Sequence, residues 1–258
     1  MSDKSQFQLA EAASRAGFQL LTFETIGSTN DVAMALGRAG GPDKCWIVAK
    51  AQTSGRGRQG RSWASPLGNL YASLLLLDAV PRELAPQLGF VAGVAAAHAL
   101  RSLLGGDARL TLKWPNDILF DGAKLGGILL EGATLDAGRF ASIIGIGVNC
   151  ASYPRDVGYP ATALCETRAR ESTPQRVFLQ LSAQVSHWLG VFAGEEAFPA
   201  IRREWLALAT GLGAPIKIST PARHVQGLFQ SIDASGRLLV ESEAGVVAID
   251  AGDVILGH

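Results

Sequence analysis

Thr53-Ser54-Gly55-Arg56-Gly57-Arg58-Gln59-Gly60-Arg61-Ser62-Trp63 threads three arginines through three glycines, and the residues on its C-terminal side decide the fold. The glycines lack the Cβ atoms that would keep backbone N–H groups from folding around an anion. The arginines add planar positive forks that match phosphate and carboxylate oxygens. The spacing also spells G-x-G-x-x-G, with Trp46-Ile47-Val48-Ala49 as a candidate strand before it and Asp78 near the place of a ribose-binding acid. A dinucleotide fold, however, needs a helix directly after the third glycine. Here the chain continues Arg61-Ser62-Trp63-Ala64-Ser65-Pro66-Leu67-Gly68-Asn69, broken by Pro66 and Gly68, and Leu70 to Leu77 reads as another strand. A doubly wound parallel sheet is therefore set aside. A solvated loop and an Arg-Gly contact for RNA remain open readings of this segment alone.

Outward from the loop, the pattern is of adjacent strands with few helices between them. Residues 7 to 20 can hold a short helix and Leu20 to Phe23 a first strand; Ser28-Thr29-Asn30-Asp31 offers capping side chains ahead of Val32 to Leu36. Strands are expected at Cys45 to Ala51 and Leu70 to Leu77, then a helix from Leu84 to Leu104 ended by Gly105-Gly106. Short strands come next near Leu110-Lys113, Ile118-Phe120, Leu125-Leu130 and Phe140-Val148, and helices near 174–193 and 198–210. This order predicts an α+β fold: a mixed, largely antiparallel sheet packed with helices. Closely spaced strands beyond Gly211-Leu212-Gly213-Ala214-Pro215 predict a small SH3-like β-barrel, dividing the chain into domains at 1–212 and 213–258.

Composition narrows the function. Lys plus Arg and Asp plus Glu number 23 each in 258 residues, so no overall basic field exists to hold nucleic acid. Cys45, Cys150 and Cys165 form no C-x-x-C pair and the four histidines are scattered, which argues against disulfide scaffolding and against a zinc site. No side-chain metal site is assigned. The opening Met1-Ser2-Asp3-Lys4-Ser5-Gln6 lacks a signal-peptide pattern, and no apolar run approaches the ~18 residues of a membrane span. The expected setting is cytoplasmic.

Three further stretches carry chemistry. In Lys113-Trp114-Pro115-Asn116-Asp117 the proline stiffens a corner that holds two charged groups and an amide beside an aromatic surface, although a plain turn reads the same way. Lys124-Leu125-Gly126-Gly127-Ile128-Leu129-Leu130-Glu131 places a lysine at the mouth of an apolar strand, to meet either water or a bound acid. Gly145-Ile146-Gly147-Val148-Asn149 is a glycine-spaced strand, which suits a bulge or the close approach of a ligand. No G-x-S-x-G elbow and no Walker A loop is present.

Together with Ser28-Thr29-Asn30, Gln52 and Leu70-Tyr71, these motifs resemble the biotin protein ligases in order and spacing, strongly over about residues 22–150 and more loosely beyond. The resemblance implies ATP-dependent activation of biotin as biotinyl-5′-AMP, with Mg²⁺, and transfer to a lysine of a biotin carboxyl carrier protein. It implies a biotin site made by Ser28, Thr29, Asn30, Gln52, the backbone of Arg56, Gly57 and Arg58, and Lys124. ATP or the adenylate would meet Arg58, Arg61, Trp63, Lys113, Asn116, Lys124 and Asn149. Lys124, Arg58, Arg61 and Asp117 would be the catalytic groups, with Asp117 or another carboxylate helping to deprotonate the acceptor lysine. Some members carry an N-terminal helix-turn-helix; only about 20 residues precede the first strand here, so no DNA partner is expected. No membrane partner is expected either, and both monomer and homodimer stay open. The rivals are a lipoate or octanoyl ligase of the same fold, whose run of consecutive glycines is missing here, and a non-enzymatic nucleic-acid module.

Overall fold

The computed structural model describes residues 6–195, 197–219 and 224–256. Helix α1 (Glu11–Arg15) leads into β1 (Gln19–Ile26), α2 (Thr29–Arg38) and β2 (Cys45–Gln52). The helix expected over 7–20 is confined to one turn because Gly17, at φ 84°, takes the left-handed conformation that ends helices. After the arginine loop come β3 (Leu70–Leu77), α3 (Gln87–Leu103), β4 (Leu110–Lys113), β5 (Asp117–Phe120), β6 (Ala123–Thr134) and β7 (Phe140–Val148). Helices α4 (Pro174–Phe192) and α5 (Ala197–Leu208) precede β8 (Pro215–Ser219), β9 (His224–Ile232), β10 (Leu238–Ser242), β11 (Gly245–Ile249) and β12 (Asp253–Leu256).

Strands β1 to β7 make one sheet in the order β1-β2-β3-β7-β6-β5-β4. β1 and β2 run parallel because α2 connects them; every other neighbouring pair is antiparallel. The run Leu74-Leu75-Leu76-Leu77 is apolar throughout because both faces of the sheet are covered. Leu74 and Leu76 join Trp46 and Val48 in the core beneath α3, α4 and α5, whereas Leu75 and Leu77 join Ile47 and Ile143 beneath α2. Burial of such side chains, worth roughly 1.5–3 kcal/mol each, makes this central part rigid enough to carry a site at its strand ends.

The C-terminal strands form an antiparallel sheet in the order β11-β10-β9-β8-β12. The barrel expected from their spacing is not closed: β11 and β12 are edges with no ladder between them among the described residues. One edge is instead used elsewhere, since β12 turns Asp253, Val254 and Ile255 toward the cavity of the large sheet. The two sheets share one apolar cluster that includes Phe90, Trp205, Phe229, Ile232 and Leu238. Trp114 Nε1 donates to Gly236 O at 3.2 Å and Arg202 Nη2 to Ser231 Oγ at 2.8 Å across the same contact.

Candidate functional site

The loop of residues 53–63 is a narrow hairpin. Gly57 N donates to Arg61 O at 2.7 Å, Trp63 N to Gly55 O at 2.9 Å, and the reversal uses positive φ at Gln59 (57°) and Gly60 (71°). A Cβ on Gly55 would lie 2.5 Å from Trp63 O, so only glycine lets the two arms approach. The hairpin folds over the ends of β6 and β7 and closes a cavity of about 580 Å³.

One wall is polar and fully interlinked. Gln52 Oε1 accepts from Thr29 N at 2.8 Å and from Thr29 Oγ1 at 3.0 Å, and Gln52 Nε2 donates to Ser65 Oγ at 2.9 Å. The parallel register sets this up by placing Ile26 opposite Gln52, so that the start of α2 and the end of β2 meet. Ser28 occupies the N-cap position of α2, but its side chain makes no capping bond and it lines the cavity instead. Ser73 Oγ lies 2.7 Å from Thr29 Oγ1 and donates to Asn30 Oδ1 at 2.5 Å.

The floor is glycine. Gly127 on β6 pairs with Gly147 on β7, and the Trp63 indole rests on them: a Cβ at Gly147 would stand 2.8 Å from the ring. Trp63 Nε1 is buried there without a partner.

The far wall is charged. Lys124 Nζ lies 2.5 Å from Asp117 Oδ1, and Lys113 Nζ 3.4 Å from Asp117 Oδ2. Lys124 Nζ also sits 5.6 Å from the Trp63 ring centre and 5.4 Å from that of Tyr159. Arg58 Nη1 donates to Asn116 Oδ1 at 3.3 Å. Burial lowers the Arg58 guanidinium from its ordinary range, against the pull of Asp253 and Asp117; an arginine so placed is still charged. Arg61 pairs with Asp253, and that hydrogen bond holds the Asp253 carboxyl below the usual carboxylate range.

The structure therefore gathers Ser28, Thr29, Asn30, Gln52, Arg56, Gly57, Arg58, Arg61, Trp63, Lys113, Asn116, Asp117 and Lys124 around one cavity. Asn149 stands outside its lining: buried, it donates from Nδ2 to Thr162 O at 3.0 Å and Lys124 O at 3.5 Å, binding the backbone on which Lys124 rides. The three arginines also diverge. Arg56 turns away to Asp31 and Glu131, at 2.8 and 3.0 Å, whereas Arg58 and Arg61 face the charged wall. Sequence reasoning missed Tyr159, Asp253, Val254 and Ile255. Tyr159 lies in an irregular segment without a motif. The β12 residues reach the cavity only through packing of the second sheet, which no local pattern encodes.

A mixed sheet whose glycine-bearing strand ends close a cavity between a neutral hydrogen-bonding wall and a cationic one defines a protein built to hold a small anionic ligand. Residues 22–149 match the biotin/lipoate A/B protein ligase family and residues 211–257 the biotin protein ligase C-terminal domain. The chain belongs to the biotin protein ligase family. It is 37% identical over 236 residues to the biotin–[acetyl-CoA-carboxylase] ligase of Paracoccus denitrificans, covering 89% of this chain and 97% of that one. It is 30% identical to the bifunctional ligase/repressor of Escherichia coli, over 93% of this chain and 74% of that one. The biotin protein ligase of Aquifex aeolicus in complex with biotin and ATP superposes with a TM-score of 0.77, at 28% identity over 93% of this chain and 98% of that one. The ligase of Leishmania major in complex with biotinyl-5-AMP gives 0.63 at 26% identity, over 90% and 99%.

Proposed function

We propose that this chain activates biotin with ATP and transfers it to a lysine of a biotin carboxyl carrier protein. The observation that carries the reading is the pairing of a neutral wall (Ser28, Thr29, Gln52) with a cationic wall (Lys124, Arg58, Arg61) across one cavity of about 580 Å³. The volume is that of a small-molecule site. The neutral wall presents hydroxyls and an amide to the ureido ring, and the glycine floor lets the ligand lie against the strands.

At the cationic wall a biotin carboxylate oxygen attacks the α-phosphorus; the bond to the β-phosphate oxygen breaks and pyrophosphate leaves. Two anions meet in that step, so Lys124, Arg58 and Arg61 offset repulsion and the charge growing at phosphorus. In the second step the acceptor lysine nitrogen attacks the acyl carbon, the acyl–oxygen bond breaks and AMP leaves. The proton lost by the amine goes to Asp117, whose carboxylate faces Lys124. Trp63 on its glycine floor supports the adenylate, and Asn149 serves it indirectly by fixing the Lys124 backbone. Closure of the 53–63 hairpin keeps water from the anhydride.

Mg²⁺, implied by ATP, takes oxygen donors. Asp117 and Asn116 line the cavity and carry such oxygens, and among the described residues no group of three or more His, Cys, Asp or Glu side chains would hold a metal alone. Asp117 and Asn116 would hold the ion, which would supply neutralisation of phosphate charge. Residues 1–212 form the catalytic unit in this reading and 213–258 a second domain, which the separate family matches support.

The test is a carrier assay with ATP and Mg²⁺, run with biotin and lipoate in parallel. A mass gain of one biotin on one carrier lysine is expected; lipoylation instead, or no gain with either acid, would overturn the reading.

A further inference from the structure

We infer that Glu131 is a positioning residue: it latches the inner arm of the arginine hairpin and the start of α2 into one wall, an inference that rests on the biotin reading above. Glu131 lies on β6 behind the cavity and does not line it. Its Oε2 accepts from Asn30 Nδ2 at 2.7 Å and from Arg56 Nη2 at 3.0 Å, and its Oε1 from Arg56 at 3.2 Å. Arg56 also reaches Asp31 Oδ1 at 2.8 Å. The guanidinium is thus committed to two carboxylates, and what the hairpin arm offers a ligand at this point is backbone.

Asn30 is committed as well. Its Nδ2 goes to Glu131 and its Oδ1 accepts from Ser73 at 2.5 Å. That approach needs glycine at 145, where a Cβ would stand 2.3 Å from Asn30 Oδ1. Both ends of the amide are used inside the protein, so Asn30 orients its neighbour Thr29, whose hydroxyl and N–H set the Gln52 oxygen. A single carboxylate therefore fixes the ureido wall from the helix side and the loop side together.

The Arg56–Glu131 side chains are 39% and 34% exposed. A pair so open to water adds little to global stability, and its effect belongs to pocket geometry. That separates the latch from an ordinary structural ion pair.

The experiment titrates biotin alone into the native protein, Glu131→Ala and Glu131→Gln by calorimetry, then measures KM for ATP and the melting temperature. We expect Glu131→Ala to weaken biotin binding about tenfold, with the KM for ATP unchanged and melting within about 2 °C. Glu131→Gln, which keeps an oxygen for the Asn30 amide, should recover most of that loss. Native-like biotin affinity in Glu131→Ala, no recovery in Glu131→Gln, or equal losses for biotin and ATP would each overturn the latch. Should the alanine variant not fold, Glu131→Gln and Arg56→Gln are compared instead. Arg56→Gln breaks the loop half of the latch and leaves the Asn30 bond, so a several-fold loss of biotin affinity with the KM for ATP unchanged is expected, and native affinity in both would overturn the latch. Failure of the native protein to bind biotin would instead remove the functional reading, and the latch with it.

Discussion

Asp117 holds Lys124, Oδ1 to Nζ, at 2.5 Å and reaches Lys113 with its other oxygen at 3.4 Å. In the proposed reaction an incoming acid would compete with this carboxylate for the lysine. On the proposed function, binding would exchange one carboxylate for another and free Asp117 to take the proton of the acceptor amine.

The first prediction concerns the lysine. Lys124→Ala should cut biotin-dependent pyrophosphate release by about two orders of magnitude, the scale of losing one preorganised donor. Asp117 keeps Lys113 at 3.4 Å as a partner, so the variant should still fold, which a melting curve run beside the assay checks. Near-native pyrophosphate release would refute the role.

The second concerns containment. Arg58 ties the outer arm of the hairpin to Asn116 and to Gly252 O. Arg58→Gly should loosen closure and let biotinyl-AMP escape, labelling lysines on bystander proteins. A streptavidin blot of a mixture without the carrier reads this directly, and a blank blot counts against it.

The third concerns pH. The Asp253 carboxyl is held below its ordinary value of 3.8, chiefly by the Arg61 hydrogen bond. A depressed acid contributes stability above its unfolded-state value and loses that contribution as pH falls through the folded one. The native protein should therefore melt above Asp253→Asn at neutral pH, and the gap should close below about pH 4. The pair is partly exposed, so the gap is small, and salt should narrow it. A gap that persists in acid would contradict the assignment.

The fourth concerns the floor. Gly147→Ala would put a methyl group 2.8 Å from the Trp63 ring, so the indole must lift. Nucleotide affinity should fall about tenfold, equal to 1.4 kcal/mol, with a shift in tryptophan emission. Unchanged affinity with unchanged emission would show that the indole does not depend on this platform.

The parts of the molecule legible in the sequence are those set by local contacts. The strands Leu70–Leu77 and Phe140–Val148 are legible because apolar runs between turn residues report burial on both faces. Two of the hairpin glycines are legible because Gly55 has no room for a Cβ and Gly60 takes a φ of 71° that other residues avoid. Arg56 misleads: next to Gly55 and Gly57 it reads as an anion fork, and its real partners lie on other elements, at Asp31 and Glu131. Asn149 likewise reads as a ligand contact at a strand end, yet it serves the backbone of Lys124. The open C-terminal sheet cannot be told from a barrel in the sequence, because closure depends on one edge pairing and β12 spends its free edge beside the cavity.

The parallel pairing of β1 with β2 has a consequence in time. The cavity takes walls from Ser28 and from Ile255, and its polar side needs Gln52 brought beside Thr29 across a whole helix. Contacts so distant along the chain are slow to form and tend to appear together near the end of folding. A chain short of β12 lacks Asp253, Val254 and Ile255, and with Asp253 the partner of Arg61, so it should hold ligand more weakly than the whole chain. Full affinity should thus appear only with the last strand in place, so that ligand retention would serve as a clock for complete folding.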